Sequence, residues 1–327
     1  MQPLSPRITR RLVLVLSAAL LSGVVLGSAP ARAEPLRVSV SFSILGDFVR
    51  QVGGERVAVD TLVGVDEDAH AFQPRPSDAR RLGAAQLVVT NGLGFDDWVA
   101  RLARSAGYRG RVLVASEGID TLAKQDDDDH GTDEEDAHRD REDGDDHDPG
   151  GIDPHAWQSV ANAERYVANI AAALAELDPA GASHYRDNAA RYRGELKALD
   201  AEIRAAFAAI PAERRKVVSS HDAFAYFARA YGVDFLAPVG VSNNAEPTAQ
   251  GVARLIRQLR ADKIPAVFIE NVADPRLIER IRAESGARVG GTLYSDALSA
   301  AGGAAPDYLT MMRHNLRTIV EAIAPAP

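Results

Sequence analysis

The sequence has no cysteine. Without thiols there is no disulfide, no thiolate metal site and no lipid anchor on a cleaved N-terminal cysteine, so any metal must be held by nitrogen and oxygen. Long apolar runs are also missing after the first thirty residues, where nothing approaches the roughly 20 residues that a membrane span requires. Basic residues form no stripe, which argues against nucleic acid as a partner. The formal net charge of −9 is unevenly spread. Residues 1–33 carry four arginines and no acid, so the rest of the chain stands at −13. The segment 126–148 holds fourteen carboxylates against two arginines and accounts for −12 of that total, leaving the remainder close to neutral.

The first residues read as an address rather than as structure. Arg7, Arg10 and Arg11 precede an apolar stretch over 12–27, and Ala31-Arg32-Ala33 forms an A-x-A cleavage pattern. The reading is a signal peptide over 1–33, cleavage near Ala33, and a mature chain free in a bacterial periplasm, not lipid-anchored.

Beyond the signal, short β-type runs alternate with amphipathic stretches. Strands are expected over 36–42, 57–63, 86–90 and 111–115, with helices over 44–52, 77–83 and 95–105 between them. The second half repeats the pattern, with strands over 216–219, 234–237 and 266–270 and helices over 223–231, 248–262, 275–285 and 308–324. Such alternation implies mostly parallel sheets flanked by helices, hence an α/β fold of two lobes. Between the halves, a helical region is broken at Asp178-Pro179. After the break Tyr185, Ala189, Tyr192, Leu196, Leu199, Ile203, Phe207 and Ile210 recur at steps of three or four until Pro211. A helix of that length spans about 40 Å at about 1.5 Å per residue, and is expected to join both lobes as a stiff backbone. The expected organisation is an N-terminal α/β lobe over 34–178 that includes the acidic loop 126–148, an interlobe helix over 179–210, and a C-terminal α/β lobe over 211–327.

The eight histidines are concentrated in a telling way. His130, His138 and His147 lie in the acidic loop, where like charges repel and few apolar residues could build a core. Imidazoles among carboxylates there are candidates for weak accessory metal binding. Three others sit in compact motifs. His70 lies in Asp68-Ala69-His70-Ala71-Phe72-Gln73-Pro74, after an expected strand, where ligand sites of open α/β sheets are found. His155 lies in Asp153-Pro154-His155-Ala156-Trp157, with Asp153 placed to orient a neighbouring group. His221 lies in Ser219-Ser220-His221-Asp222, at a strand exit. A fourth donor is expected from the second lobe, and Asp296, after Gly290-Gly291-Thr292-Leu293-Tyr294-Ser295, is a candidate oxygen. Three nitrogens and one carboxylate suit a tetrahedral Zn²⁺. Glu270 is a further candidate to support the site, whereas His184 and His314 fall on expected helices and Glu246 suits a helix start or a partner contact.

These blocks, taken in order with Asn91-Gly92-Leu93-Gly94, Ser220-His221-Asp222-Ala223-Phe224, Glu246-Pro247 and Thr292-Leu293-Tyr294-Ser295-Asp296, resemble the metal-binding periplasmic solute-binding proteins of ABC importers, the cluster A-I family. The resemblance covers nearly all of the mature chain. It implies two α/β lobes joined by a rigid helix, with one metal between the lobes held by His70, His155, His221 and Asp296. Histidine at the third ligand position and the His-rich acidic loop resemble the zinc branch, ZnuA- and AztC-like, where manganese proteins usually carry glutamate. The first motif departs from the usual Asp-Pro-His by having Ala69, which is expected to loosen that loop without removing its ligand. The implied function is capture of one Zn(II) at a tight site, with weaker loop sites, and its delivery to a membrane permease driven by a cytoplasmic ATPase. A periplasmic zinc chaperone is a further candidate partner. A manganese or iron receptor of the same family is the alternative. A zinc-dependent hydrolase is disfavoured, because no His-Glu-x-x-His motif is present and four protein ligands would close the metal's shell; no enzyme is expected.

Overall fold

The computed structural model describes residues 34–124, 151–241 and 248–324. The signal peptide, the acidic loop with His130, His138 and His147, and the Glu246-Pro247 pair lie outside the described residues. Among the described residues no helix is long and apolar enough to cross a membrane.

Two parallel four-stranded sheets form the framework. The first contains β1 (Leu36–Phe42), β2 (Val57–Val63), β3 (Leu87–Thr90) and β4 (Arg111–Val114) in the order β2-β1-β3-β4. The second contains β5 (Lys216–Val218), β6 (Asp234–Leu236), β7 (Ala266–Glu270) and β8 (Arg288–Leu293) in the order β6-β5-β7-β8. The helices of the first half are α1 (Ser43–Gly53), α2 (Pro76–Gly83), α3 (Trp98–Ser105) and α4 (Val160–Leu177). After α5 (Ala182–Ala208), the second half adds α6 (Ala225–Tyr231), α7 (Ala249–Ala261), α8 (Pro275–Ser285) and α9 (Tyr308–Ile323). The α/β alternation expected from the hydrophobic pattern is thus present in both halves. Boundaries agree to within three residues; α3 starts at Trp98 because residues 92–97 form a turn instead.

In both sheets the chain runs outward in opposite directions from the middle pair of strands, β1 and β3 in one, β5 and β7 in the other. Loops beyond the carboxyl ends of strands at such a point diverge and leave a crevice, the usual ligand position in open α/β sheets. The residues that follow β2, β5 and β8 carry His70, His221 and Asp296, and β7 ends on Glu270.

Helix α5 buries Tyr185, Ala189, Tyr192, Leu196, Leu199, Ile203 and Phe207, the stripe read from the sequence. It packs on α4 and α1 of the first half and on α9 and α6 of the second. The break before it is fixed by Asp178, whose carboxylate accepts from the Gly181 amide, from Tyr185 Oη and from Arg56. One continuous apolar core takes in the first sheet, α1, α4, α5, α9 and the inner face of the second sheet. A separate small core lies under α7 and α8, built from Val218, Val252, Leu255, Ile256, Leu259, Ile264, Val267, Ile278 and Ile281.

Candidate metal site

The first two motifs build their loops with the same device. Asp68 Oδ1 accepts the His70 amide at 2.8 Å, and Asp153 Oδ1 accepts the His155 amide at 2.9 Å, so each Asp-x-His triplet is closed by its own aspartate. This turn holds with Ala69, itself fully buried, in the position that Pro154 occupies in the second motif. The first turn is therefore closed by the same bond as the second: the aspartate fixes the histidine amide, and proline is not needed for that bond.

The second motif is held from behind by residues 91–96. Asn91 Nδ2 donates to the Pro154 carbonyl at 3.0 Å, while Asn91 Oδ1 accepts from Tyr166 Oη at 2.6 Å. The turn itself is tied by Asp96, whose carboxylate accepts the Asn91 and Gly92 amides at 2.6 and 2.9 Å. Gly92 has φ +80, and a Cβ there would meet Val114 Cγ1 at 2.6 Å, so only glycine fits. Asp96 is buried, and desolvation pushes its carboxyl up to about 6 against the pull of nearby Ser41 and of the two amide hydrogen bonds. The Asn-Gly-x-Gly run was visible in the sequence, but Asp96 was missed. Its signal is an acid five residues after a strand-ending asparagine, which is not distinctive alone.

His70, His155, His221 and Asp296 converge, with one donor atom from each lying within 4.8 Å of every other. His70 Nε2 is 3.2 Å from His155 Nε2 and 3.5 Å from Asp296 Oδ2. His221 Nε2 is 3.2 Å from Asp296 Oδ2, and His155 Nε2 is 3.6 Å from Asp296 Oδ1. Around a Zn²⁺ with donors at roughly 2.0–2.1 Å, the edges of a tetrahedron measure about 3.3 Å, close to these separations. His155, His221 and Asp296 are fully buried, and the His70 side chain is 7% exposed. Both Asp296 oxygens and His221 Nε2 are buried without a hydrogen bond, although they face one another. Burying such atoms unpaired is unfavourable by about 1–3 kcal/mol each, and a cation among them removes that penalty.

Each of the two deepest imidazoles is backed by a carboxylate. Asp153 Oδ1 lies 2.8 Å from His155 Nδ1, and Glu270 Oε2 lies 2.8 Å from His221 Nδ1. The second is an ion-pair contact whose direction falls short of a hydrogen bond. Glu270 also accepts the Ser220 and His221 amides on Oε1, at 2.7 and 3.0 Å. These contacts turn both Nε2 atoms toward the centre, the arrangement that orients imidazole ligands in metal sites. Burial alone would lower the His221 pKa, but the charges of Glu270 and Asp296 outweigh it and raise it well above 6.5. Burial alone would raise Asp296, but His221 and His155 hold it well below the usual carboxylate range. The cluster is a place where positive charge is favoured.

The remaining described histidines serve packing. His184 Nε2 lies 3.2 Å from the Gly53 carbonyl at the end of α1, and His314 Nε2 lies 2.9 Å from the Thr292 carbonyl. Neither joins the group of four.

Residues 38–322 match the family model described as zinc-uptake complex component A, periplasmic. The chain is 32% identical over 291 residues to the manganese-binding lipoprotein MntA of Halalkalibacterium halodurans, covering 89% of each. It is 31% identical to the iron-binding protein YfeA of Yersinia pestis, covering 88% of this chain and 86% of that one. Among solved structures, the periplasmic zinc-binding protein TroA of Treponema pallidum superposes with a TM-score of 0.78 at 28% identity, over 90% of this chain and all of that one.

Proposed function

This chain belongs to the family of the periplasmic zinc-uptake component A, metal-binding substrate-binding proteins of ABC transporters, and from that premise we propose that it is a zinc receptor. It captures one Zn²⁺ on His70, His155, His221 and Asp296 and hands it to a membrane permease powered by a cytoplasmic ATPase. A periplasmic zinc chaperone is a further partner on this reading. The observation that carries it is the donor set itself: three imidazoles and one carboxylate that converge within 4.8 Å of one another, with His155, His221 and Asp296 fully buried. Harder ions prefer more oxygen donors, so a third histidine favours zinc over manganese.

Asp153 and Glu270 act by holding His155 and His221 in orientation. Zinc is cargo here, and four protein donors leave no open coordination position for water, so the protein is not an enzyme. The lobes are taken as 34–178 and 211–327, with 179–210 as the backbone between them. The chain works in the periplasm, exported on residues 1–33. Relatives such as MntA are named lipoproteins, whereas this sequence holds no thiol to which a lipid could be attached.

A manganese or iron cargo is the second reading, favoured by the names of the relatives MntA and YfeA. Competition of the metal-free mature protein against a chromophoric chelator separates the two. One tight zinc site with manganese bound at least about a hundredfold more weakly supports the zinc receptor; equal or tighter manganese binding transfers the assignment to the second reading.

A further inference from the structure

Asp296 follows β8 in the chain, and the segment that carries it is fastened to both halves. From the second half Asn315 holds the Tyr294 amide and carbonyl, and Asn271 Nδ2 donates to the Ala297 carbonyl. Ser295 and Leu298 are tied to the first half. The Ser295 carbonyl accepts from Trp157 Nε1 at 2.8 Å and from Gln158 Nε2 at 2.7 Å. Two residues beyond Asp296, the Leu298 amide donates to Ser43 Oγ at 3.0 Å, and the Leu298 carbonyl accepts from the Asp66 amide at 2.9 Å. Ser43 opens α1, and Asp66 lies in the loop that carries His70. Trp157 and Gln158 belong to the short 3-10 turn directly after His155, in which the Gln158 amide donates to the His155 carbonyl at 3.0 Å. One turn therefore places His155 and grips the strand exit of Asp296.

His221 is held differently. Its ring and amide face Glu270, and its carbonyl accepts from Ser219 Oγ, all from the second half. Contacts to the first half near it are made one turn later by α6, where Tyr226 Oη donates to the Asp153 carbonyl.

We propose that Gln158 and Trp157 are positioning residues for Asp296, so that hydrogen bonds from the first half help to orient three donors, His70, His155 and Asp296, whereas His221 is oriented by second-half groups alone. This rests on the metal-receptor reading above. The state of Gln158 points to such a role. The side chain is fully buried, and its Oε1 has no hydrogen-bond partner while its Nε2 serves Ser295. An apolar residue of similar size removes that unmatched acceptor, so the metal-free fold gains or loses little from the exchange. Gln158 is thus placed for the carbonyl it holds rather than for stability.

The test uses Gln158→Leu, alone and combined with His221→Ala, titrated with Zn²⁺ and with Co²⁺ as a visible-spectrum probe. In the parent background Gln158→Leu should lower zinc affinity about tenfold, change the saturated Co²⁺ spectrum, and leave the metal-free Tm unchanged or higher. His221→Ala should still bind one ion, more weakly, and the double variant should lose about the same further factor. Trp157→Phe, which keeps the aromatic ring and removes the indole N–H, should repeat the affinity loss at smaller size. The inference is overturned if both exchanges leave affinity and spectrum unchanged, if Gln158→Leu only lowers the Tm, or if His221→Ala binds no ion. A parent protein that binds neither Zn²⁺ nor Co²⁺ would instead sink the receptor reading itself.

Discussion

The two halves of the molecule orient an imidazole by the same chemistry but reach it by different routes. In the first half the carboxylate and the histidine are two residues apart, and Asp153 fixes both the amide and the ring of His155 within one loop. In the second half the carboxylate arrives from another strand: Glu270 ends β7, forty-nine residues after His221, and holds its ring and two successive amides. The frameworks differ in the same sense. Strands β1 and β2 pair along nearly their whole lengths, whereas β5 and β6 are three residues each and β5 meets β7 at the pair Val218 and Val267. The lesson is that the His155 ring is oriented from within its own motif, which Asn91 and Tyr226 then hold in place, while the His221 ring is oriented only when the second sheet has assembled. A donor held across strands is the more sensitive to any change in its support.

The largest expected effect follows from that contrast. Glu270→Gln should lower zinc affinity about 100-fold and Asp153→Asn about tenfold, measured by chelator competition. The amide in place of Glu270 presents a donor to His221 Nδ1 and favours the tautomer whose Nε2 carries a proton, which removes the lone pair aimed at the metal. Asparagine at 153 keeps an acceptor for the His155 amide, so its loop is preserved. Equal losses, or a larger one at Asp153, would break the comparison.

The pH response sharpens it next. His221 has a raised folded pKa, so in the metal-free protein its contribution to stability is fully present below about pH 6.5 and is lost as pH rises through the raised value. Zinc must displace that proton, so zinc affinity should begin to fall already above pH 6.5 as pH is lowered. Chelator competition between pH 5.5 and 8.5 should show this onset, moved to lower pH in Glu270→Gln. An onset below pH 6 in the parent would contradict the charge balance described.

A smaller effect belongs to the first half. The Asp96 carboxyl is raised to about 6 by burial, so its contribution is fully present below about pH 3.8 and is lost as pH rises through 6. The full difference is worth roughly 3 kcal/mol, most of it between pH 4 and 7. Asp96→Asn should flatten that part of the pH dependence of urea unfolding, and an unchanged slope would remove Asp96 from the account. The smallest effect on the four-donor site is expected from deleting 126–148. Its affinity should be unchanged while the total zinc bound per chain falls, read by equilibrium dialysis; unchanged stoichiometry would count against metal binding by His130, His138 and His147.

The same difference between local and assembled structure decides how much the sequence reveals. Alternating apolar patterns gave the strands and helices of both halves, and the Tyr185 to Phe207 stripe gave the long helix, because each depends on residues a few positions apart. His70 and His155 announce themselves through their Asp-x-His triplets. Glu270 could be named as a supporting candidate but not assigned to His221, since that contact depends on how β5 and β7 pair. Gln158 was invisible as a site residue, because its partner is a backbone carbonyl 137 residues away, and Asp96 was hidden for want of a motif. Spacing alone makes Asp296 one candidate oxygen among several, and only the family resemblance implies it as a ligand.

The most direct test of the central claim, that four donors from both halves meet on one ion, is X-ray absorption of the zinc-loaded protein at one ion per chain. The account predicts four-coordinate zinc with first-neighbour distances of roughly 2.0–2.1 Å and the multiple-scattering signature of three imidazoles. Two imidazoles or fewer, or a five- or six-coordinate shell rich in oxygen, would contradict it.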